Sequence, residues 1–401
     1  MKTREAPGLG YWKASVRLSL AFFVVVSVCA GAPVEPASAL GCSWSIVAHP
    51  DVGKVPSDGL SGIDALSAHD IWAVGSSRGD RATLVEHFDG ERWSVVPSPT
   101  PPSTYIVFLD EVTAIGPNDA WAVGSFRKLG NGPRFRTLIE HFDGRAWTIV
   151  PGPNPFPHAD DFLVGVEAVT ADDVWAVGST ELGSFPGKTI IEHFNGSEWS
   201  VVPGVPLAAG GDLEDVSAIS PSDVVAVGSA GSFDRSRPLI ERFDGSGWVR
   251  EAAPKGIQGS GLAGVSTTGT NAQWAVGDQS LRSIVNPPPV RTLAMRDTGS
   301  GWSSVPSQNS DAQDDNLLFR VAALSATDAW AVGYRNARNF TPRTLIEHAT
   351  GGSLTIVPSP DATPYSNFLN GVVALSSTNV WAVGSASHRR GTRSLIEHLI
   401  C

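Results

Sequence analysis

Charged residues are scarce in this sequence, and the familiar signatures of helical and catalytic proteins are missing. Asp, Glu, Lys and Arg make up only 17% of the 401 residues, and the net charge is −11. That negative balance argues against a general binder of nucleic acids or of anionic membranes. No nucleophile elbow, P-loop or zincin motif is present, so the sequence indicates no familiar catalytic centre or cofactor. Beyond residue 39, no stretch has a sustained helical period.

Only one stretch is apolar enough to suggest export or a membrane. Basic residues from Lys2 to Arg17 precede an apolar run over 18–32, and the small-x-small pattern of Ala37-Ser38-Ala39 follows. We therefore expect residues 1–39 to be a signal peptide and the protein to be secreted, without membrane contact after cleavage. An uncleaved N-terminal anchor is the alternative.

An internal repeat of about 50 residues fills the rest of the chain. Each unit has an L-x-x-V-x-A-L run, a D-x-W-A-V-G-S run, and a hairpin such as LIEHFDGRAWTIVP from Leu138, in which Asp-Gly predicts the turn. Four antiparallel strands in each of seven units predict an all-β, seven-bladed β-propeller over residues 40–401. The seven WAVG or VAVG markers lie 49 to 56 residues apart and begin at Trp72, Trp121, Trp175, Val225, Trp274, Trp330 and Trp381.

These repeats resemble those of kelch-type propellers. The resemblance rests on an apolar run ending in glycine, an aromatic-Asp pair and a tryptophan strand, as in DVWAVGS at 173–179, LIEHFDG at 138–144 and WSVVPSP at 93–99. It extends over residues 42–401 and implies the propeller fold. Where kelch repeats carry Gly-Gly, most units here have Gly-Ser. A kelch-like copper oxidase would need a Tyr/His copper site and a Cys–Tyr cross-link, but only three tyrosines follow residue 39.

The last unit lacks its fourth strand. The chain ends at 395–401, LIEHLIC, which matches a third strand, while 41–47, GCSWSIV, matches the missing fourth strand. We therefore expect blade seven to be built from about 368–401 plus 41–50. Ring closure of this kind removes the exposed sheet edges of an open array.

The same alignment accounts for the cysteines that follow the signal peptide. Cys42 and Cys401 fall at neighbouring positions of the interrupted hairpin. In an exported protein, such a pair is expected to form a disulfide. Lipidation of Cys42 is the alternative.

Segment lengths separate two faces of the predicted ring. The hairpin between strands three and four has a constant length, whereas the loop from the WAVG marker to strand three varies from 8 residues after Gly75 to 15 after Gly277. The loops from strand four to the next strand one differ strongly in composition. Both variable connections emerge on one face, which we call the variable face and expect to bind a ligand. Drift in unconstrained loops would produce the same pattern.

Polar residues near the start of strand one are the candidates for ligand binding. Carboxylates that converge on a central channel could bind Ca²⁺ or a polyhydroxyl ligand, and solvated loop charge is the alternative. The candidates on strand one are Asp110, Glu111, Glu214, Asp215, Arg320 and Asn370, and those at the preceding loop of one blade are His158, Asp160 and Asp161.

Two recurring features are expected to be structural. Equivalent residues of different blades are spread around a ring, and neighbours on a strand face opposite ways, so the repeated Glu-His pairs cannot form one metal site. A basic residue two positions before the strand-three leucine is expected to staple blades together rather than attract an anionic polymer. The Glu-His pairs begin at Glu86, Glu140, Glu192, Glu347 and Glu397; the basic residues are Arg136, Lys188, Arg237, Arg291, Arg343 and Arg393.

The sequence therefore predicts a secreted, monomeric, non-catalytic binding module. Its expected partner is an extracellular glycan, peptide or protein, recognised by the variable face. A secreted hydrolase or lyase with carboxylates at the channel mouth is one alternative, and a passive structural protein of the envelope or matrix is another.

Overall fold

A computed structural model describes most of the chain beyond the expected signal peptide. The predicted signal peptide at 1–39 lies outside the described residues. Within them, no helix is long and apolar enough to cross a membrane. The described residues are 41–50, 52, 57–77, 79, 81–101, 105–128, 134–156, 158–181, 187–231, 235–280, 289–311, 313–336 and 341–401.

The described residues form seven antiparallel sheets of four strands, which confirms the seven-bladed β-propeller. The first strand of the chain, β1 (Ser43–Ile46), belongs to the last blade. Blade one has β2 (Gly59–Ser67), β3 (Asp70–Ser77), β4 (Ala82–Phe88) and β5 (Trp93–Val95); blade two has β6 (Tyr105–Gly116), β7 (Asp119–Lys128), β8 (Arg136–Phe142) and β9 (Trp147–Ile149); blade three has β10 (Asp160–Thr170), β11 (Asp173–Glu181), β12 (Lys188–Phe194) and β13 (Trp199–Val201).

The remaining blades repeat this order of strands. Blade four has β14 (Gly211–Ser220), β15 (Asp223–Ala230), β16 (Arg237–Phe243) and β17 (Trp248–Arg250); blade five has β18 (Ser260–Gly269), β19 (Ala272–Ser280), β20 (Val290–Asp297) and β21 (Ser303–Val305). Blade six has β22 (Asp315–Ser325), β23 (Asp328–Asn336), β24 (Pro342–Thr350) and β25 (Leu354–Val357); blade seven has β26 (Asn367–Ser376), β27 (Asn379–His388) and β28 (Gly391–Ile400).

The two chain ends meet in blade seven as expected. β1 pairs with β28, with Trp44 opposite Leu399, so the sheet has the order β1-β28-β27-β26. Cys42 and Cys401 form a disulfide beside this pairing, with their Cα atoms 3.9 Å apart. The hairpin cut between the ends of the chain is thus restored by hydrogen bonds and by one covalent bond.

The hydrophobic core lies between the blades rather than at one centre. The strand-two Trp72 of blade one meets the strand-four Trp147 of blade two edge to face, with ring centroids 5.5 Å apart. Phe142 of blade two packs on the same indole at 4.9 Å. Edge-to-face aromatic pairs contribute about 0.5–1.5 kcal/mol beyond the area they bury. The repeated tryptophans therefore join each blade to the next.

The recurring Glu-His pairs are part of this scaffold. His87 stacks on Trp72 at 4.3 Å, and its Nε2 lies 2.8 Å from Oδ1 of Asp70. The preceding Glu86 points the other way and is fully buried. Three of the basic residues also hold neighbouring blades together, because each donates a hydrogen bond to a backbone carbonyl oxygen of the following loop. These bonds run from Arg136 to Ala159, from Arg291 to Asp311 and Asp314, and from Arg343 to Thr363.

Candidate functional site in the central channel

Strand one of every blade lines the central channel and carries a β-bulge. In blade two, Leu109 pairs with Gly124 and Glu111 with Val123, which leaves Asp110 between them unpaired. A bulge of this kind bends the strand and redirects nearby groups. Because the chain enters strand one from the variable face, the bulge lies toward that face. The bulge residues of blades one to seven are Ser61, Asp110, Val164, Glu214, Ala263, Phe319 and Asn370.

From blade one to blade seven, the position after the bulge alternates between glycine and a charged residue, so that two glycines are neighbours where blade seven adjoins blade one. A Cβ atom on Gly264 would lie only 2.8 Å from Cα of Arg320 in the next blade. Gly62 and Gly165 face the next charged residue in the same way. The glycines thus allow the charged strands to approach the preceding blade. In order, the seven residues are Gly62, Glu111, Gly165, Asp215, Gly264, Arg320 and Gly371.

The guanidinium of Arg320 lies across the channel. Its Nε donates to Oε2 of Glu111 at 2.9 Å, and Oδ2 of Asp215 lies 3.9 Å away. Nη1 donates to the bulge carbonyl of Ala263 at 2.7 Å, and Nη2 donates to that of Val164 at 3.2 Å. One side chain of blade six therefore contacts blades two, three, four and five.

Arg320 only partly offsets the effect of burial on the pKa values of Glu111 and Asp215. Burial raises the pKa of Glu111 to about 7, although the nearby Arg320 acts in the opposite direction. Burial also raises the pKa of Asp215. For Arg320, burial alone would lower the pKa, but Asp215 and Glu111 outweigh it and raise the pKa. The guanidinium therefore stays charged, whereas the two carboxyl groups compete for it.

A cavity of about 190 Å³ lies on the other side of Arg320, toward the regular face of the ring. Its lining includes Asp64, Glu167 and Ser217 on one side and Ala322 and Val373 on the other. The polar lining residues also join adjacent blades: Ala114 donates its backbone N–H to Asp64 at 2.7 Å, and Thr267 donates to Ser217 at 3.2 Å. Burial, together with Asp64, Asp215 and Glu111, raises the pKa of Glu167 well above its usual range.

Six of the predicted site residues meet in this channel. Glu111, Asp215 and Arg320 form its constriction, and Asp110 and Glu214 are bulge residues one position nearer the variable face. Burial raises the pKa of Asp110 to about 7, with Arg320 lowering it in part. The sixth residue, Asn370, donates its amide to the carbonyl of Leu60 at 2.8 Å and thereby joins blade seven to blade one.

The other three predicted residues lie outside the channel. Asp160 accepts a hydrogen bond from the backbone N–H of Phe135 at 2.7 Å, which staples blade three to blade two. Asp161 accepts one from Phe156 at 3.2 Å and lies 3.8 Å from Arg136. His158 is exposed in the preceding loop. The structure therefore gives the two aspartates a role in holding a loop.

Sequence reasoning missed Asp64, Glu167, Ser217 and Ser266. Each comes eight positions before a WAVG or VAVG marker, as Asp64 does before Trp72. Aligning the repeats on the marker would have shown this polar position, which is Thr113 in blade two and apolar only in blades six and seven. In the part of the chain that the structure describes, no group of three or more His, Cys, Asp or Glu side chains is arranged to hold a metal ion.

Comparisons with solved structures support the propeller fold. A structure of YCF48 bound to D1 peptide is 13% identical over 89% of this chain and 97% of its own, with a TM-score of 0.52. YCF48 from Cyanidioschyzon merolae is 13% identical over 89% of this chain and 98% of its own, with a TM-score of 0.55. A PL25 ulvan lyase bound to -[GlcA(1-4)Rha3S]- is 7% identical, covering 86% and 97%, with a TM-score of 0.50. No family model and no curated protein matches the sequence. At these identities the likeness extends to the fold alone: the chain is a seven-bladed β-propeller.

Proposed function

We propose that the protein is an exported, non-catalytic binding module that receives a positively charged segment of an extracellular peptide or protein at the variable mouth of its channel. The observation that carries this proposal is the charge of the channel neck. Asp110, Glu111, Glu214 and Asp215 surround the guanidinium of Arg320, so carboxyl groups outnumber cations in this described part of the ring. A lysine or arginine side chain, or an amino terminus, entering from the variable face would offset that excess.

The geometry favours binding over the hydrolase or lyase alternative. Oε2 of Glu111 accepts from Arg320, and its Oε1 accepts from the backbone N–H of Val112 at 3.2 Å. Asp215 accepts from the N–H groups of Val216 and Val265 at 2.9 and 2.8 Å. A general base needs a carboxylate oxygen directed at its substrate. The two central carboxylates are instead committed to the scaffold.

The structural neighbours show that propellers of similar fold bind ligands, but these ligands belong to two different chemical classes. YCF48 has been seen with a peptide, and the PL25 lyase with a saccharide. The acidic neck favours the peptide because a neutral glycan would gain nothing from the excess charge. Export by cleavage after residue 39, a kelch-type origin of the repeats and a monomeric state belong to the same proposal. Export predicts that protein recovered from the medium begins near Leu40.

Peptide binding at fixed ionic strength tests the function. We expect Lys- and Arg-rich fluorescent peptides to bind the chain that begins at residue 40, and acidic and neutral peptides of the same length not to bind. Affinity should fall as salt rises, because exposed charges are screened. The double substitution Asp110→Asn and Glu214→Gln should weaken binding by at least about tenfold, since even one hydrogen bond to a charged group contributes about 1.5–3 kcal/mol.

A matched control separates this site from the overall negative charge. Glu91→Gln and Glu198→Gln together remove the same charge from exposed hairpin turns on the regular face, and they should leave binding unchanged. An equal loss of affinity in both double variants would mean that the peptides are held by non-specific electrostatic attraction and not at the channel mouth. Binding of neutral polysaccharides without basic peptides would favour the glycan reading, and turnover of a polysaccharide would refute the non-catalytic assignment.

A further inference from the structure

A glutamate is buried at the same position of strand three in six of the seven blades. Blade five carries Met295 at this position. None of these glutamates takes part in the channel site. All six have fully buried side chains: Glu86, Glu140, Glu192, Glu241, Glu347 and Glu397.

Within its own blade, each glutamate except Glu241 lies between residues that cannot compensate a charge in the blade core. Glu140 is opposite Ala122 of β7 and Ile149 of β9, and Glu192 is opposite Ala176 and Val201. The strand-two neighbour is the alanine of the WAVG marker in every case. That small side chain leaves room for the glutamate beside it.

The preceding blade supplies neutral partners across the interface. The hydroxyl of Ser98 donates to Oε2 of Glu140 at 2.6 Å, and Ser307 donates to Glu347 in the same way and at the same distance. The residue facing Glu192 from this segment is Gly152. In blade five, Met295 packs instead with Ala253, which occupies the serine position. The acid and its hydroxyl partner are therefore absent together.

Charged groups near these glutamates are few, and their effects differ. Asp161 approaches Glu192 and Asp361 approaches Glu397, and both raise the pKa of the neighbouring glutamate beyond the effect of burial. The exposed Arg250 is the cross-strand neighbour of Glu241 and lowers its pKa in part. Within the described ranges, no Lys or Arg forms an ion pair with any of the six.

The closing interface between blades seven and one has a different partner. There, Nδ1 of His49 lies 3.4 Å from Oε2 of Glu86. His49 occupies the position that Ser98 and Ser307 hold at other interfaces, and its Nε2 lies 3.1 Å from the carbonyl oxygen of Ser394. An imidazole in this position can form a hydrogen bond with either the neutral or the ionised form of the glutamate.

We propose that the blade interfaces are proton-binding sites: the ring closes with Glu140, Glu192, Glu241, Glu347 and Glu397 neutral, and it loosens as rising pH ionises them. Placing an uncompensated carboxylate in an apolar interface is unfavourable, so the neutral acid is the stable form there. The folded protein therefore favours mildly acidic surroundings.

The pH window follows from the carboxyl groups. Burial raises the pKa to about 8 at Glu140, Glu192, Glu347 and Glu397, and it also raises the pKa of Glu241. An unfolded glutamate ionises near the ordinary value of 4.5. Between these values the folded chain binds more protons than the unfolded chain, so stability falls as pH rises. Below the window these five glutamates are neutral in both states, and above it the loss of stability is complete.

Unfolding in urea between pH 4.5 and 8 tests the inference. We expect the wild-type midpoint to fall steadily as the pH rises. Glu192→Gln should reduce the proton uptake on folding near pH 6.5 by about one proton and flatten the pH dependence accordingly. Glu198→Gln, which changes an exposed glutamate of the same blade, should leave the pH dependence unchanged.

A second variant guards against a failure of Glu192→Gln to fold. Glu140→Met combined with Ser98→Ala reproduces the Met295–Ala253 pair of blade five and should flatten the slope by the same amount. Infrared spectra of the folded wild type near pH 6 should show absorption by protonated carboxyl groups that weakens in either variant. A pH-independent midpoint, an unchanged slope in both variants, or fully ionised carboxyl groups at pH 6 would each overturn the proposal.

Discussion

The channel and the blade interfaces bury carboxyl groups in two different ways. In the channel, Glu111 and Asp215 share the guanidinium of Arg320 and accept backbone hydrogen bonds. Among the described residues, none of the interface glutamates forms an ion pair with Lys or Arg, and the carboxyl group of Asp161 approaches Glu192. The pKa of Glu111 rises to about 7 and that of Glu192 to about 8. In the channel, Arg320 opposes the effect of burial on Glu111 only in part, and this partnership predicts different responses to substitution in the two regions.

The two regions also connect different parts of the ring. The interface glutamates and tryptophans join neighbouring blades, whereas Arg320 of blade six contacts blades two to five through one side chain. Neighbour contacts determine how each blade packs on the next. The channel contacts constrain the diameter of the ring as a whole, since they span its axis.

Among the substitutions that test this comparison, removal of the positive charge of Arg320 should have the largest effect on stability. Arg320→Met leaves Glu111 and Asp215 buried without a positive partner, which typically lowers the free energy of unfolding by about 3–5 kcal/mol. The loss should be greater at pH 8 than at pH 5, because protonation of the carboxyl groups relieves it. Urea unfolding at both pH values measures the difference.

Neutralising the partners provides the control for that substitution. Arg320→Met combined with Glu111→Gln and Asp215→Asn should recover part of the stability at pH 8 and little at pH 5. An equal loss at both pH values, or no recovery in the triple variant, would show that Arg320 acts through packing rather than through charge.

Opening the disulfide tests whether the channel contacts can hold the ring without a closed last blade. Replacing Cys401 with Ser should lower the free energy of unfolding by about 2–4 kcal/mol, and the chain-entropy model gives about 6 kcal/mol as an upper figure for a separation of 359 residues. Hydrogen exchange should rise in β1 and β28, which the disulfide joins, while β6 and β22 stay protected because Arg320 connects them.

The reducing agent dithiothreitol supplies the matched comparison. It should reproduce the effect of the substitution in the wild type and change nothing in a variant lacking both Cys42 and Cys401. Uniformly faster exchange in all blades would mean that the ring opens as one unit and that the channel contacts do not hold blades two to six together.

The internal repeat was enough to predict the fold. Most of the channel site depends on individual residues within the repeats, which the repeat pattern alone does not predict. The markers from Trp72 to Trp381 gave the blade count, and the match of 41–47 to a fourth strand placed β1 and the disulfide before any coordinates. Sequence reasoning also chose Glu111, Asp215 and Arg320, because the early residues of strand one lie near the channel and differ between blades. It could not place the guanidinium on the bulge carbonyls of Val164 and Ala263, because a bulge has no residue signature here.

Two further features required distances between blades. The sequence did not show that the strand-three glutamates are completely buried, because that depends on how closely the preceding blade approaches. Nor did it assign a role to the glycines after the bulge. Glycine is required at Gly62 and Gly264 because the backbone of the next blade lies against them.

The close approach at these glycines gives the smallest and most local test of the channel. In Gly264→Ala, the new methyl group would lie 2.8 Å from both Cα of Arg320 and the carbonyl oxygen of Phe319, and backbone atoms cannot rotate away. We expect the free energy of unfolding to fall by about 1–3 kcal/mol, as for overpacking elsewhere. The midpoint of urea unfolding should also become more sensitive to pH, because Arg320 shifts relative to Glu111. Gly116→Ala is the matched control, since a methyl group at that end of β6 meets nothing within 4 Å; it should be neutral or slightly stabilising. Equal effects of the two substitutions would mean that blades five and six separate easily, and the constriction would then owe its position to the charges alone.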